Sequence, residues 1–113
     1  MTRAQIIQFG NVTVDLATQQ VIRNGKPVDL SAREFKLLRY FIEHPNTAIT
    51  RDELLTAVWG YESMPFTRTV DVHIAWLRQK IEAQPHRPQF ILTVHGVGYR
   101  FVIYGSQTVG EGM

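Results

Sequence analysis

The 113-residue sequence contains no cysteine, which excludes a disulfide framework, a thiolate metal site and a cysteine nucleophile. No apolar run approaches the roughly 18 residues of a membrane-spanning helix, and the first residues do not form a signal-peptide pattern. A soluble cytoplasmic placement is therefore the expectation, with no membrane partner. Catalytic motifs are also missing. There is no phosphate-cradling loop, nucleophile elbow or histidine-rich metal motif, and His44, His73, His86 and His95 are not at metal-ligand spacing. The chain is thus read as neither an enzyme nor a cofactor or metal protein. A net charge of +2 is too small to name a polyanionic partner by itself.

What is present is a chain of one-domain length, 44% hydrophobic and 19% charged, with its charge unevenly spread. Residues 67–104 carry Arg68, Arg78, Lys80, Arg87 and Arg100 against only Asp71 and Glu82. Residues 31–66 carry a slight acidic excess. The basic surplus therefore lies in the last third of the chain.

The first thirty residues read as four short strands. Gly10-Asn11 and Asn24-Gly25 supply two-residue turns, and Val12, Val14 and Leu16 alternate with polar residues. Such strands need something packed on them. Ser31 and Glu34 form a capping box ahead of Phe35, Leu38 and Ile42 at helical spacing, and this helix should stop near Glu43–His44, before Pro45. Thr50 and Glu53 repeat the box ahead of a short helix ended by Gly60. Thr67 is the expected cap of a third helix reaching Glu82–Ala83. Phe90–Val94 and Tyr99–Tyr104 read as strands joined by a glycine-rich turn, in which Gly96 and Gly98 set the backbone. The expected architecture is an α+β winged helix-turn-helix: an N-terminal four-stranded antiparallel sheet, three helices and a C-terminal β-hairpin wing. Residues 1–104 form the domain, and 105–113 are expected to be a disordered tail.

The third helix is the informative element. At about 100° per residue, Val70, Ile74, Leu77 and Ile81 form one narrow stripe that needs a core. The opposite side carries Arg68, Val72, Ala75 and Gln79, with Trp76 about 130° from the stripe. An ordinary surface helix would place mostly charged residues there. Two consecutive helices ahead of a hairpin suit a duplex, the second helix in the major groove and the hairpin on the neighbouring backbone or minor groove.

Five ordered motifs, L-S-A-R-E-F-K-L-L at 30–38, R-D-E-L-L-T-A-V-W-G at 51–60, R-T-V-D-V-H-I at 68–74, L-R-Q-K-I-E at 77–82 and T-V-H-G-V-G-Y-R-F at 93–101, resemble the effector domain of OmpR/PhoB-type response regulators over nearly the whole chain. The resemblance implies sequence-specific binding of double-stranded DNA, with 67–82 as the recognition helix and 90–104 as the wing. It implies phosphate contacts from Arg68, Thr69 and Arg78 and groove-facing positions at Val72 and His73; helical angle adds Ala75, Trp76 and Gln79 to the groove-facing set, and Lys80 is a further candidate for a phosphate. Val72 would meet a thymine methyl and His73 a phosphate or base edge. Trp59 matches a tryptophan near a phosphate, while Thr93, His95, Gly96 and Tyr99 match wing residues on backbone or minor groove. The loop with Tyr61, Glu62, Met64 and Phe66 matches a segment that in some relatives contacts RNA polymerase. It also implies a monomer alone, two copies on direct repeats of DNA, and a receiver domain outside this chain, which is read as a fragment.

Two departures stand out. Ala75 and Trp76 occupy positions that are often basic in the family, and His95 replaces the usual wing arginine. Weaker electrostatic affinity or a different site preference is expected. The bland readings stay beside the sharp ones: Trp76 as cover for apolar surface, Trp59 as a packed helix end, Arg68, Arg78 and Lys80 as solvated charges. Loss of DNA binding in favour of a protein-interaction role is the competing function.

Overall fold

The computed structural model describes residues 5–60, 66–103 and 107–109, and its contacts fall into two compact units, 1–29 with 103–113 and 30–102. In the first unit, β1 (Ile6–Phe9), β2 (Val12–Asp15), β3 (Gln20–Arg23) and β4 (Lys26–Val28) form an antiparallel sheet. The predicted hairpins are in place. Phe9 pairs with Val12 across Gly10-Asn11, and Arg23 pairs with Lys26 across Asn24 (φ 54°) and Gly25 (φ 76°). Both turn residues of the second hairpin have the positive φ that a type I′ turn demands. Val12, Val14 and Leu16 are buried, as their alternation required.

The C-terminal segment corrects the sequence reading. Residues 107–109 form strand β8 (Gln107–Val109), antiparallel to β1, so the sheet has five strands in the order β4-β3-β2-β1-β8. Three residues among glycines and polar groups carry no strand signal of their own. The pairing comes from the open edge of β1.

In the second unit, α1 (Ala32–Glu43) starts on the predicted capping box: Glu34 N–H donates to Ser31 Oγ (3.1 Å) and Ser31 N–H to Glu34 Oε1 (2.9 Å). It ends at His44, before Pro45. The second box is only half formed. Thr50 Oγ1 accepts from Glu53 N–H (3.0 Å), but Glu53 Oε2 accepts the Tyr40 hydroxyl (2.5 Å). Helix α2 (Arg51–Trp59) stops at Gly60, φ 83°. Helix α3 (Thr67–Ile81) follows, then the hairpin of β6 (Ile91–Val94) and β7 (Gly98–Phe101). Strand β5 (Ala48–Thr50), which the sequence reading missed, pairs with β7 to complete a three-stranded sheet. Gly98 makes the pairing possible, because a Cβ there would stand 2.1 Å from the Ile49 carbonyl oxygen.

The connection from α3 to β6 is fastened by Glu82, which is only 1% exposed. Its carboxylate accepts the backbone N–H groups of Gln89 (2.8 Å), Phe90 (3.0 Å) and Ile91 (2.8 Å). Charge-assisted bonds of this kind are stronger than neutral ones. They fix where the wing begins relative to the helix.

Candidate nucleic-acid interface

Helix α3 divides as its sequence pattern requires. Val70, Ile74, Leu77 and Ile81 are fully buried, whereas Arg68, Val72, Ala75, Trp76 and Gln79 are all exposed. Those five span an arc of about 100°. Two of them are large and apolar, Val72 at 38% and Trp76 at 50% exposure. The N-terminus differs from expectation: the cap position is Phe66, 85% exposed, and Thr67 is the first helical residue. Among the described residues no side-chain hydrogen bond caps the helix, and no carboxylate lies in its first turn. The positive end of the helix therefore lies beside the exposed Arg68, an arrangement that favours an anion. Thr69 donates its N–H back to the Phe66 carbonyl (2.8 Å).

An aromatic stack supports one side of this arc. The His73 ring sits 4.9 Å from Trp59 in a T-shaped contact and 4.9 Å from Trp76, while the Arg33 guanidinium lies 5.4 Å over Trp59. His73 Nδ1 donates to the Thr69 carbonyl (2.8 Å). His73 is accordingly a half-buried packing residue beside the arc, not a member of it. Trp59 joins α2 to α3 as the bland reading had it.

The cations in the second half of the helix are engaged internally. Arg78 donates from Nε (3.1 Å) and Nη2 (2.8 Å) to the Ile91 carbonyl and from Nη2 to Thr93 Oγ1 (3.0 Å), with its guanidinium 5.5 Å over Tyr99. Burial pulls the guanidinium below its ordinary pKa, against the pull of Tyr99 and Glu82. Lys80 Nζ donates to Glu34 Oε1 at 2.6 Å. Burial would raise the Glu34 carboxyl, but the bonds from Lys80 and Ser31 outweigh it and hold the pKa below its ordinary value. Arg78 and Lys80 thus hold the helix to the wing and to α1, where the sequence reading expected phosphate contacts.

Tyr99 also points inward. It is 5% exposed and donates its hydroxyl to Asp71 Oδ1 (2.7 Å), which accepts Arg51 Nε as well (2.8 Å). Burial, then the Asp71 bond, pushes the phenol up from its ordinary value. This network ties α2, α3 and β7 together, so Tyr99 positions the wing from within. At the wing surface are Thr93, His95, Gly96 (φ 78°), Val97 and Arg100, all exposed. Val97 and Arg100 were missed by the sequence reading, although the basic surplus of the segment included Arg100. Arg33, Arg51 and Asp71 were missed as positioning residues because their partners are distant in sequence, and Glu82 because no local motif reports a carboxylate that gathers the backbone N–H groups of the following loop. Tyr61, Glu62 and Met64 lie outside the described residues. Among the described residues no group of three histidine, aspartate or glutamate side chains is placed to hold a metal ion, and no helix is long and apolar enough to cross a membrane.

Comparison with known proteins accounts for this arrangement. Residues 25–101 match the family model described as transcriptional regulatory protein, C terminal. The transcriptional regulatory protein YvrH of Bacillus subtilis is 47% identical over 98 residues, covering 87% of this chain and 41% of YvrH. The response regulator DrrB of Thermotoga maritima, an OmpR/PhoB homologue, superposes with a TM-score of 0.79 at 34% identity, over 86% of this chain and 44% of DrrB. The RstA DNA-binding domain of Klebsiella pneumoniae, solved in complex with the RstA box, gives 0.74 at 36% identity, over 86% of this chain and 96% of that domain. This chain spans from 32% to 43% of the length of curated relatives of this kind. The chain belongs to the family of C-terminal effector domains of OmpR/PhoB-type transcriptional regulators.

Proposed function

We propose that this chain binds double-stranded DNA sequence-specifically as the effector domain of a transcriptional regulator, with α3 in the major groove and the β6–β7 hairpin on the neighbouring backbone or minor groove. The observation that carries the reading is the exposed arc of α3, which begins at a helix N-terminus without a side-chain cap, beside Arg68. Helix amides, Arg68, Thr69 and Arg100 set the register on phosphates, and base edges face Val72, Ala75, Trp76 and Gln79. Thr93, His95 and Gly96 meet the backbone. Two copies sit on direct repeats about one helical turn apart. A receiver domain elsewhere in a longer chain, cytoplasmic placement, and contact of Phe66 and the adjoining loop with RNA polymerase complete the proposal.

A protein-interaction module is the second reading. It is favoured by the internal engagement of Arg78 and Lys80 and by the apolar exposure of Phe66 and Trp76. A salt titration of duplex binding separates the two. About 4–6 phosphate contacts predict a log–log slope near −3.6 to −5.4. Absence of binding to any duplex at low salt refutes the DNA reading.

A further inference from the structure

Base reading by this surface lacks its usual cation. A guanine is most often recognised by an arginine or lysine donating two bonds to its major-groove edge. On α3 the cations of the second half of the helix, Arg78 and Lys80, are bonded to Ile91, Thr93 and Glu34, and Arg68 lies at the helix N-terminus, where phosphate binding places it. Between them the exposed arc offers two apolar side chains, one methyl group and one amide: Val72, Trp76, Ala75 and Gln79. Major-groove chemistry answers each of them at an A·T pair. The thymine 5-methyl takes an apolar contact, and adenine takes two bonds from a carboxamide.

Trp76 is also held ready. A half-exposed tryptophan on a helix would ordinarily sample several rotamers and lose that freedom on binding. Here the His73 ring lies 4.9 Å from it, backed by Trp59 and Arg33 and anchored by the 2.8 Å bond from His73 to the Thr69 carbonyl. The His73 ring therefore braces the indole, with Trp59 and the Arg33 guanidinium behind His73, while Trp76 stays half exposed.

We infer that α3 extends A·T selection through Trp76, which covers a thymine 5-methyl group beside the one that the family resemblance already gives to Val72, with Gln79 pairing adenine and His73 positioning Trp76. The inference rests on the proposed placement of α3 in the major groove. It makes His73 a positioning residue that touches no base.

The probe is the tightest-binding duplex recovered by selection from random sequences, remade with deoxyuridine in place of thymidine one position at a time. Uracil keeps the pairing edge and removes only the methyl. Each covered methyl should weaken wild-type binding about fourfold when removed. Val72→Ala and Trp76→Ala should each abolish the response at its own position, in proteins whose melting temperature is unchanged. His73→Ala should blunt the response assigned to Trp76, and His73→Phe should restore it by keeping a ring in the stack. Tolerance of uracil at every position of a duplex that the wild type binds overturns the inference and leaves the DNA reading intact. So does a methyl penalty that survives in both Val72→Ala and Trp76→Ala. An undiminished Trp76 response in His73→Ala overturns the positioning role. Failure to bind any duplex overturns instead the groove placement on which the inference stands.

Discussion

The two ends of α3 carry the same charge type and use it in opposite ways. At the N-terminal end Arg68 is exposed beside an uncapped helix start, with Phe66 open to solvent. At the C-terminal end Arg78 and Lys80 are bonded to β6 and to the α1 cap, and Glu82 draws the following backbone onto its carboxylate. The first end is available to a partner. The second end is a joint. A count of basic residues treats the ends alike, and only the location of each cation's hydrogen bonds separates a binding charge from a fastening one.

The joint is where substitution should cost most. Glu82→Ala removes the acceptor of three backbone N–H groups close to β6. A buried donor left without a partner costs about 1–3 kcal/mol, so a loss of about 3 kcal/mol in a urea unfolding experiment is expected. A loss within about 0.5 kcal/mol, as for an ordinary surface site, would mean that the loop holds itself without the carboxylate.

The next comparison sets the two arginines against each other. Arg78→Ala should destabilise the fold by about 1.5–3 kcal/mol, the range for hydrogen bonds to a charged group, with little change in the salt slope of duplex binding. Arg68→Ala should leave stability within about 0.5 kcal/mol and make the slope less steep by about 0.9, one phosphate contact. If both substitutions flatten the slope equally, the distinction between the ends fails.

How far this distinction was legible beforehand depends on its range along the chain. The stripe of Val70, Ile74, Leu77 and Ile81 and the Ser31–Glu34 box are periodic or local, and both stand as read. So do the hairpin turns and the buried face of the third helix, though its cap is Phe66 and not Thr67, and the five family motifs point to the family. Local rules overreached where a distant partner competed for a group. Glu53 was read as the second half of a capping box, and Tyr40, 13 residues away, holds it instead. The same is true of the site. The exposed set Arg68, Val72, Ala75, Trp76 and Gln79 follows from helical angle alone, and the structure leaves all five open. Motif position assigns Arg78 and Tyr99 to DNA and leaves Lys80 beside them as a further candidate, but the partners of Arg78, Lys80 and Tyr99 lie 13, 46 and 28 residues away, beyond the reach of spacing. Strands β5 and β8, three residues each, were invisible because partner edges make them.

The smallest effect should appear at the Lys80–Glu34 pair, and it has a sign that can be worked out. Burial raises the Glu34 carboxyl, but the bonds from Lys80 and Ser31 prevail, so its folded pKa lies below the ordinary value. A carboxylate lowered on folding contributes stability that is fully present above its unfolded pKa, about 4.3, and disappears as pH falls through the folded value. Lys80→Met removes the strongest of the opposing bonds and leaves the burial, so the carboxyl should rise and its contribution should fade at a higher pH than in the wild type. At pH 7 the variant should be about 1 kcal/mol less stable, the upper range for a pair with one partly exposed member. Urea midpoints measured from pH 7 to 3 on both proteins test this, because other carboxylates cancel in the difference. The comparison of the two ends then makes a further demand on the same variant. If Lys80 is a fastening charge, its loss must leave the salt slope of duplex binding unchanged. A slope flattened by about 0.9 would return Lys80 to the phosphate-contacting set and move the boundary between the two ends of the helix.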